Sequence, residues 1–279
     1  MMKLHLGLKG TLARVLTVSA VVVGMVGFMQ PAVAAISATK HNLGSSGTKS
    51  NKTGATDEIC VFCHTPHGAD VSTAGAPLWN KKLPAATGYT MYAVTDSLDS
   101  GAPLTSVAGV SLPCLSCHDG TQALDNVINA PGSGGYDSTG GGAGGLAWSW
   151  GTSPRVDGTG KLIGVAALGT DLSNDHPIGI KYCGGGPNYT TPTTACVDAD
   201  FKTPAYGTIG SALRMWVDST VGAGRQKTDM FLFSRSFSGT DYPSVECASC
   251  HDVHTETGLF LRMAGGNTGS QVCLACHTK

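Results

Sequence analysis

Eight of the ten cysteines stand in four copies of one five-residue pattern, and no other feature of the 279 residues limits the fold so tightly. The copies are Cys60-Val-Phe-Cys63-His64, Cys114-Leu-Ser-Cys117-His118, Cys247-Ala-Ser-Cys250-His251 and Cys273-Leu-Ala-Cys276-His277. At this composition chance supplies about 0.01 copies of CxxCH per chain, so the repetition reflects chemistry. Two thiols three positions apart can add across the two vinyl groups of one porphyrin, and the adjacent imidazole is then held against its iron. Each unit is therefore read as a c-type haem attachment, four covalently bound haems in all. Structural zinc would have to close tetrahedra from Cys and His at shared sites, which four identical units do not require. The remaining cysteines, Cys183 and Cys196, flank a Gly-Gly-Gly-Pro turn and read as a disulfide closing a surface loop.

The histidine count addresses the far side of each iron. Of nine histidines, His5 falls in a leader segment and four belong to the CxxCH units, which leaves His41, His67, His176 and His254. Four irons need four distal ligands, and the match implies bis-imidazole coordination. Such iron is six-coordinate and saturated, which favours electron transfer over substrate binding. Met91, Met215, Met230 and Met263 are the rival ligands; none has a distinctive context, and they read as packing residues. His67 lies three residues after His64, and His254 three after His251. So short a tether cannot pass round a macrocycle, so each is expected to serve a different haem from the one held by the unit before it. His176 precedes Pro177, whose ring biases it to an extended backbone that can point an imidazole inward.

Composition bounds the rest. Lys3, Lys9 and Arg14, an apolar run over residues 15–28, and the small residues Ala32, Ala34 and Ala35 have the three parts of a secretory signal peptide, residues 1–34. Its loss removes three cations and no anion and moves the formal charge from −1 to −4, which excludes a polybasic nucleic-acid binder. The apolar run is short of the roughly 20 residues a membrane span needs. The expected product is exported and has no membrane span, extracellular or at the cell surface, with the periplasm as the alternative.

Along the chain the expected parts are an extended N-terminal arm at 35–56, a haem 1 and haem 2 region at 57–130, a Gly-rich insertion at 131–243 with Cys183, Cys196 and His176, and a haem 3 and haem 4 region at 244–279. Residues 57–279 are expected to form one compact unit. Pro66, Pro77, Pro84, Pro103 and Pro113 leave no room for long helices. Residues 162–168 and 230–237 read as strands and 211–217 as a short helix. A GxGxxG match at 140–145 lies in low-complexity glycine, without the strand and helix that a nucleotide site needs. With 39 glycines the chain carries little apolar side chain against its ordering entropy. Buried porphyrin faces, at about 25 cal/mol per Å², are the expected substitute. Trp79, Trp148, Trp150 and Trp216 are equally candidates for haem edges and for ordinary core. The expected fold class is a multihaem cytochrome c, mostly coil with short helices and few short strands, organised around four stacked haems.

The strings SATKHNLGSSG, EICVFCHTPHGA, PLWN, CLSCHDGT, SNDHPIG, VECASCHDVH, FLR and the final CLACH together resemble the tetrahaem outer-membrane cytochrome E group of metal-reducing bacteria. The resemblance implies the eight histidine ligands named above and a homopolymeric extracellular filament carrying electrons along a continuous haem stack. Its partners would be redox proteins of the cell envelope and extracellular acceptors. It also implies one haem ligand donated by the neighbouring subunit, for which His41 is the expected donor. A monomeric periplasmic tetrahaem shuttle is the alternative. A multihaem reductase would need an open iron position, signalled by CxxCK or by too few distal ligands, and the sequence carries neither signal.

Overall fold

The computed structural model describes residues 35–73, 75–92, 105–141, 144–220, 222, 224–263 and 265–278. The expected signal peptide and Pro103 lie outside the described residues.

Ser238 and Gly239 both take positive φ, 50° and 85°. That is the two-residue turn whose twist matches paired strands. It joins β4 (Met230–Phe237) to β5 (Thr240–Val245), in register from Phe237 opposite Thr240 to Phe233 opposite Ser244. A second turn at Gly210, φ 64°, joins β2 (Ala205–Ile209) to β3 (Ala212–Val217). With β1 (Ile180–Lys181) these make a five-stranded antiparallel sheet in the order β1-β5-β4-β3-β2. Residues 212–217, read from sequence as part of a helix, are thus a strand. Six residues are too few for helix propensity to prevail, and Met215, Trp216 and Val217 gain ladder partners in Leu232, Phe231 and Met230.

The remaining regular elements are helices of one or two turns. Helices α1 (Leu112–His118), α2 (Cys247–Cys250) and α3 (Gln271–Cys276) each contain one CxxCH cysteine pair, and the fourth pair lies at a 3₁₀ turn, Cys60–Phe62. Pro113 sits in the first turn of α1, where its missing N–H costs nothing. Residues 162–168 hold a 3₁₀ turn, Gly164–Ala166, in place of the expected strand.

Apolar side chains gather in three small clusters. One, under the sheet, contains Tyr182, Met215, Val217, Met230, Leu232 and Val245. A second surrounds Leu112 and Leu115 of α1, with Leu83, Tyr89 and Val107. The third joins Leu43, Val61, Phe62, Leu124, Val156 and Leu162. Residues 35–56 are folded onto the body: Leu43 is buried, Thr53 pairs with Trp150, and the Asn42 amide donates to the Ser37 carbonyl and the Ser46 hydroxyl. Within residues 131–243, Trp148 and Trp150 pack against Phe62 of the first CxxCH unit. Residues 35–279 form one unit. Cys183 and Cys196 are joined in a disulfide, with Cα atoms 5.4 Å apart.

Among the described residues, no helix is long and apolar enough to cross a membrane. The sheet and the motif-bearing helices are tied together by one buried ion pair. Arg235 of β4 reaches Glu246, just before α2, at 2.9 Å, and Glu246 also accepts from the Ser111 hydroxyl at the start of α1. Ser111 Oγ in turn accepts from the Cys247 N–H at 3.1 Å.

Candidate haem-binding site

Each CxxCH unit is one helical turn. The backbone N–H of His64 donates to Cys60 O at 2.8 Å, that of His251 to Cys247 O at 3.1 Å, and that of His277 to Cys273 O at 2.9 Å. The turn places the two cysteines of each pair on one face and brings the histidine just beyond them. After the turn the chain straightens. His64 pairs with Trp79, His251 with Leu261 and His277 with Phe201 in isolated backbone bridges that fix where each imidazole begins.

The ring nitrogens are then assigned by carbonyl acceptors. His64 Nδ1 meets Pro77 O at 3.1 Å, His118 Nδ1 meets Ala166 O at 2.7 Å and His251 Nδ1 meets Leu259 O at 2.8 Å. A carbonyl only accepts, so each Nδ1 carries the proton and donates it, and Nε2 presents its lone pair. Metal-bound histidines are commonly oriented in this way. His176 Nδ1 likewise donates to Pro177 O at 3.1 Å, and His254 Nδ1 lies 3.5 Å from the Asp252 carboxylate.

Two of these histidines face a second imidazole. The rings of His64 and His254 are 6.3 Å apart with planes 17° from parallel; those of His118 and His41 are 6.2 Å apart at 66°. An ion bonded at about 2.0–2.1 Å to one nitrogen of each ring, each nitrogen lying about 1.1 Å from its ring centre, sets centroids about 6.2–6.4 Å apart. The residues present therefore fit an iron held between two imidazoles. By contrast, His41 stacks directly on Phe260 at 4.3 Å. His254 faces the histidine of the first unit although it follows the third. His41 lies beside His118 of its own chain. His176 and His277 lie close enough to interact electrostatically. Among the described residues His67 and His251 face no second imidazole ring, and both are exposed.

Three of these imidazoles are shifted toward the neutral form, the one that ligates a metal. His41 is lowered to about 4, first by desolvation and then by the neighbouring His118, His251 and His254. His118 is lowered by burial, partly offset by its bond to Ala166 and reinforced by His251. His176 is lowered by desolvation on its packed side and then by His277. Burial also pushes the Cys63 and Cys276 thiols up to about 12 and raises Cys250. Cys114 is raised chiefly by a hydrogen bond to Cys247, which is lowered by the same contact. Cys63 and Cys117 interact across the first two units, and Cys250 and Cys273 across the last two. The four units thus neighbour one another in sequence order.

The rival methionines are packing residues. Met215 and Met230 are buried under the sheet, and Met91 and Met263 pack at the rims of clusters. Trp79 stands edge-on to His64 at 5.8 Å, whereas Trp216 is buried in the sheet.

Residues 243–279 match the family model for a doubled CXXCH motif. No curated protein matches the chain. A doubled CXXCH motif points to a multihaem c-type cytochrome, an electron carrier with covalently bound haem. When bound, each haem supplies an iron that exchanges one electron between its ferric and ferrous states. The chain would tether such a group through the cysteine pairs Cys247/Cys250 and Cys273/Cys276 of the matched segment, and Cys60/Cys63 and Cys114/Cys117 stand in the same pattern. His64, His118, His251 and His277 present Nε2 or adjoin the tether, with His254 and His41 opposite the first two.

Sequence reasoning missed the carbonyls of Pro77, Ala166 and Leu259, and Phe260 behind His41. Backbone acceptors leave no mark in residue type, and Phe260 stands in no periodic pattern that would single it out.

Proposed function

We propose that this chain is an exported tetrahaem c-type cytochrome that polymerises head to tail and passes electrons along a continuous row of haems to acceptors outside the cell. The observation that carries the reading is the opposed imidazoles, His64 with His254 and His118 with His41, at the separation an iron between them requires. Saturated irons in neighbouring units suit transfer of electrons and leave no site for a substrate.

Polymerisation rests on what these pairs leave over. His251 has a positioned Nδ1 and no facing ring among the described residues, while His67 is exposed and uncommitted. A donor on one copy and an acceptor on the next make a heterologous contact, and such contacts propagate into rings or filaments. The donor to the neighbour is therefore His67, with His41 used internally. Redox partners would lie in the cell envelope at one end and among extracellular acceptors at the other.

A second reading has its own support. Because His64 faces His254, segment 64–67 lies near segment 251–254, so His67 is also near the His251 haem of its own chain; the protein is then a monomeric shuttle. Electron microscopy of the native protein and of a His67→Ala variant separates the two. The filament reading expects native filaments and, in the variant, dispersed particles with one high-spin haem per chain. Native protein that stays monodisperse under all conditions would remove the filament, and a variant that still forms filaments would remove His67 as the donor.

A further inference from the structure

We infer that the turn Gly258–Phe260 is a clamp that fixes the ligand planes at two neighbouring haems, with Phe260 the positioning residue for His41. The inference rests on the reading of His41 and His251 as iron ligands and goes beyond it.

Leu259 and Phe260 each take φ 57°, consecutive residues in the left-handed region that side chains disfavour. Burial does not explain the conformation, because the Leu259 side chain is 69% exposed. What the turn delivers is two contacts. The Leu259 carbonyl accepts from His251 Nδ1 at 2.8 Å, and the Phe260 ring lies on the His41 ring at 4.3 Å, 7° from parallel. The surrounding chain holds the turn: the Asp252 N–H donates to Phe260 O at 2.8 Å, Thr257 Oγ1 donates to Leu261 O, and Leu261 pairs with His251 across the bridge. Strained backbone kept in place by its neighbours, with no gain in packing, marks a conformation retained for what it positions.

Phe260 settles one angle in particular. His41 cannot rotate about its bond toward His118 without leaving the Phe260 face, so the stack maintains the 66° between the His41 and His118 planes. The other opposed pair, His64 and His254, is nearly parallel at 17°, with Trp79 rather than a stacked ring beside His64. In low-spin ferric haem, steeply crossed imidazole planes leave two iron d orbitals nearly degenerate and give a single signal at large g; near-parallel planes split them and give a rhombic spectrum. One chain therefore holds two haems with distinct magnetic signatures, and only the large-g signal depends on Phe260.

The experiment is electron paramagnetic resonance of the ferric holoprotein, with haem content per chain measured by mass, for the wild type and for Phe260→Ala, Phe260→Leu and Phe260→Tyr. Phe260→Ala and Phe260→Leu, the latter keeping bulk without a flat ring, are expected to retain every haem in the low-spin state while the large-g signal moves to lower g. The rhombic signal stays unchanged, and Phe260→Tyr restores the wild-type spectrum. A His41→Ala variant should convert one haem to high spin. Spectra of Phe260→Ala and Phe260→Leu superimposable on wild type, with His41→Ala high-spin, would overturn the clamp and leave the ligand standing. A His41→Ala protein whose haems all remain low-spin would overturn the ligand reading itself.

Discussion

Between residues 205 and 245 four strands share backbone ladders over a buried floor of Met215, Val217, Met230 and Leu232. Between residues 35 and 130, among the described residues, the backbone has isolated bridges, short turns and the seven-residue α1, and its imidazoles face partners across a gap. The first region has its order supplied by the polypeptide. The second has its ends positioned for something placed between them, so its stability should depend on the prosthetic group far more than the sheet's does. The two are joined through Arg235, Glu246 and Ser111, where β4 meets the starts of α1 and α2.

The largest expected effect tests that asymmetry. Replacing Cys60, Cys63, Cys114 and Cys117 by serine removes the tethers of the first region. Hydrogen exchange should then show loss of protection across residues 35–130, while the β3–β4–β5 amides stay protected. Equal loss in both regions would show that the sheet leans on the haems as much as the motif region does.

Next comes the joint. The Arg235 and Glu246 side chains are 12% and 0% exposed, so Arg235→Ala strands a buried carboxylate whose pKa is already raised by burial. Breaking such a pair costs about 3–5 kcal/mol, and thermal unfolding of the variant should separate into two transitions. A single transition at the wild-type temperature would mean that the regions are coupled elsewhere.

Removing the disulfide with Cys183→Ser and Cys196→Ser should cost about 3 kcal/mol, as expected for a loop of this length, and should act on the sheet side, where Tyr182 and Cys183 pack. The transition of the motif region should not move.

The smallest effect concerns acid. Burial alone would raise the Asp70 carboxyl, but hydrogen bonds from Leu83 and Ser72 and the charge of Lys82 hold it below its ordinary value. A depressed carboxylate adds stability above its unfolded pKa, near 4, and that contribution disappears as pH falls through the folded value. Wild-type protein should lose stability more steeply than Asp70→Asn below about pH 4, and the two slopes should agree at neutral pH. Parallel curves throughout would show that Asp70 makes no such contribution.

The doubled CXXCH motif was legible because covalent chemistry demands fixed spacing, and so was β4, whose residues 230–237 match the observed strand. Residues 211–217 misled because strand pairing with residues 230–232 outweighs local propensity in so short a run. In residues 35–56 the contacts with the rest of the chain are the burial of Leu43 and a bridge from Thr53 to the distant Trp150, which composition does not encode. The spacing of His67 and His254 from the units before them argued against a shared haem. It was not enough to say that His254 would face His64 or that His41 would face His118, since those meetings are made by the folded path of the chain.

The most direct test is the ferric electron paramagnetic resonance spectrum of the secreted holoprotein, quantified against the haem each chain carries. The account predicts four haems, all low-spin, with a large-g and a rhombic component both present. A stoichiometric high-spin signal, or fewer than four haems, would contradict it.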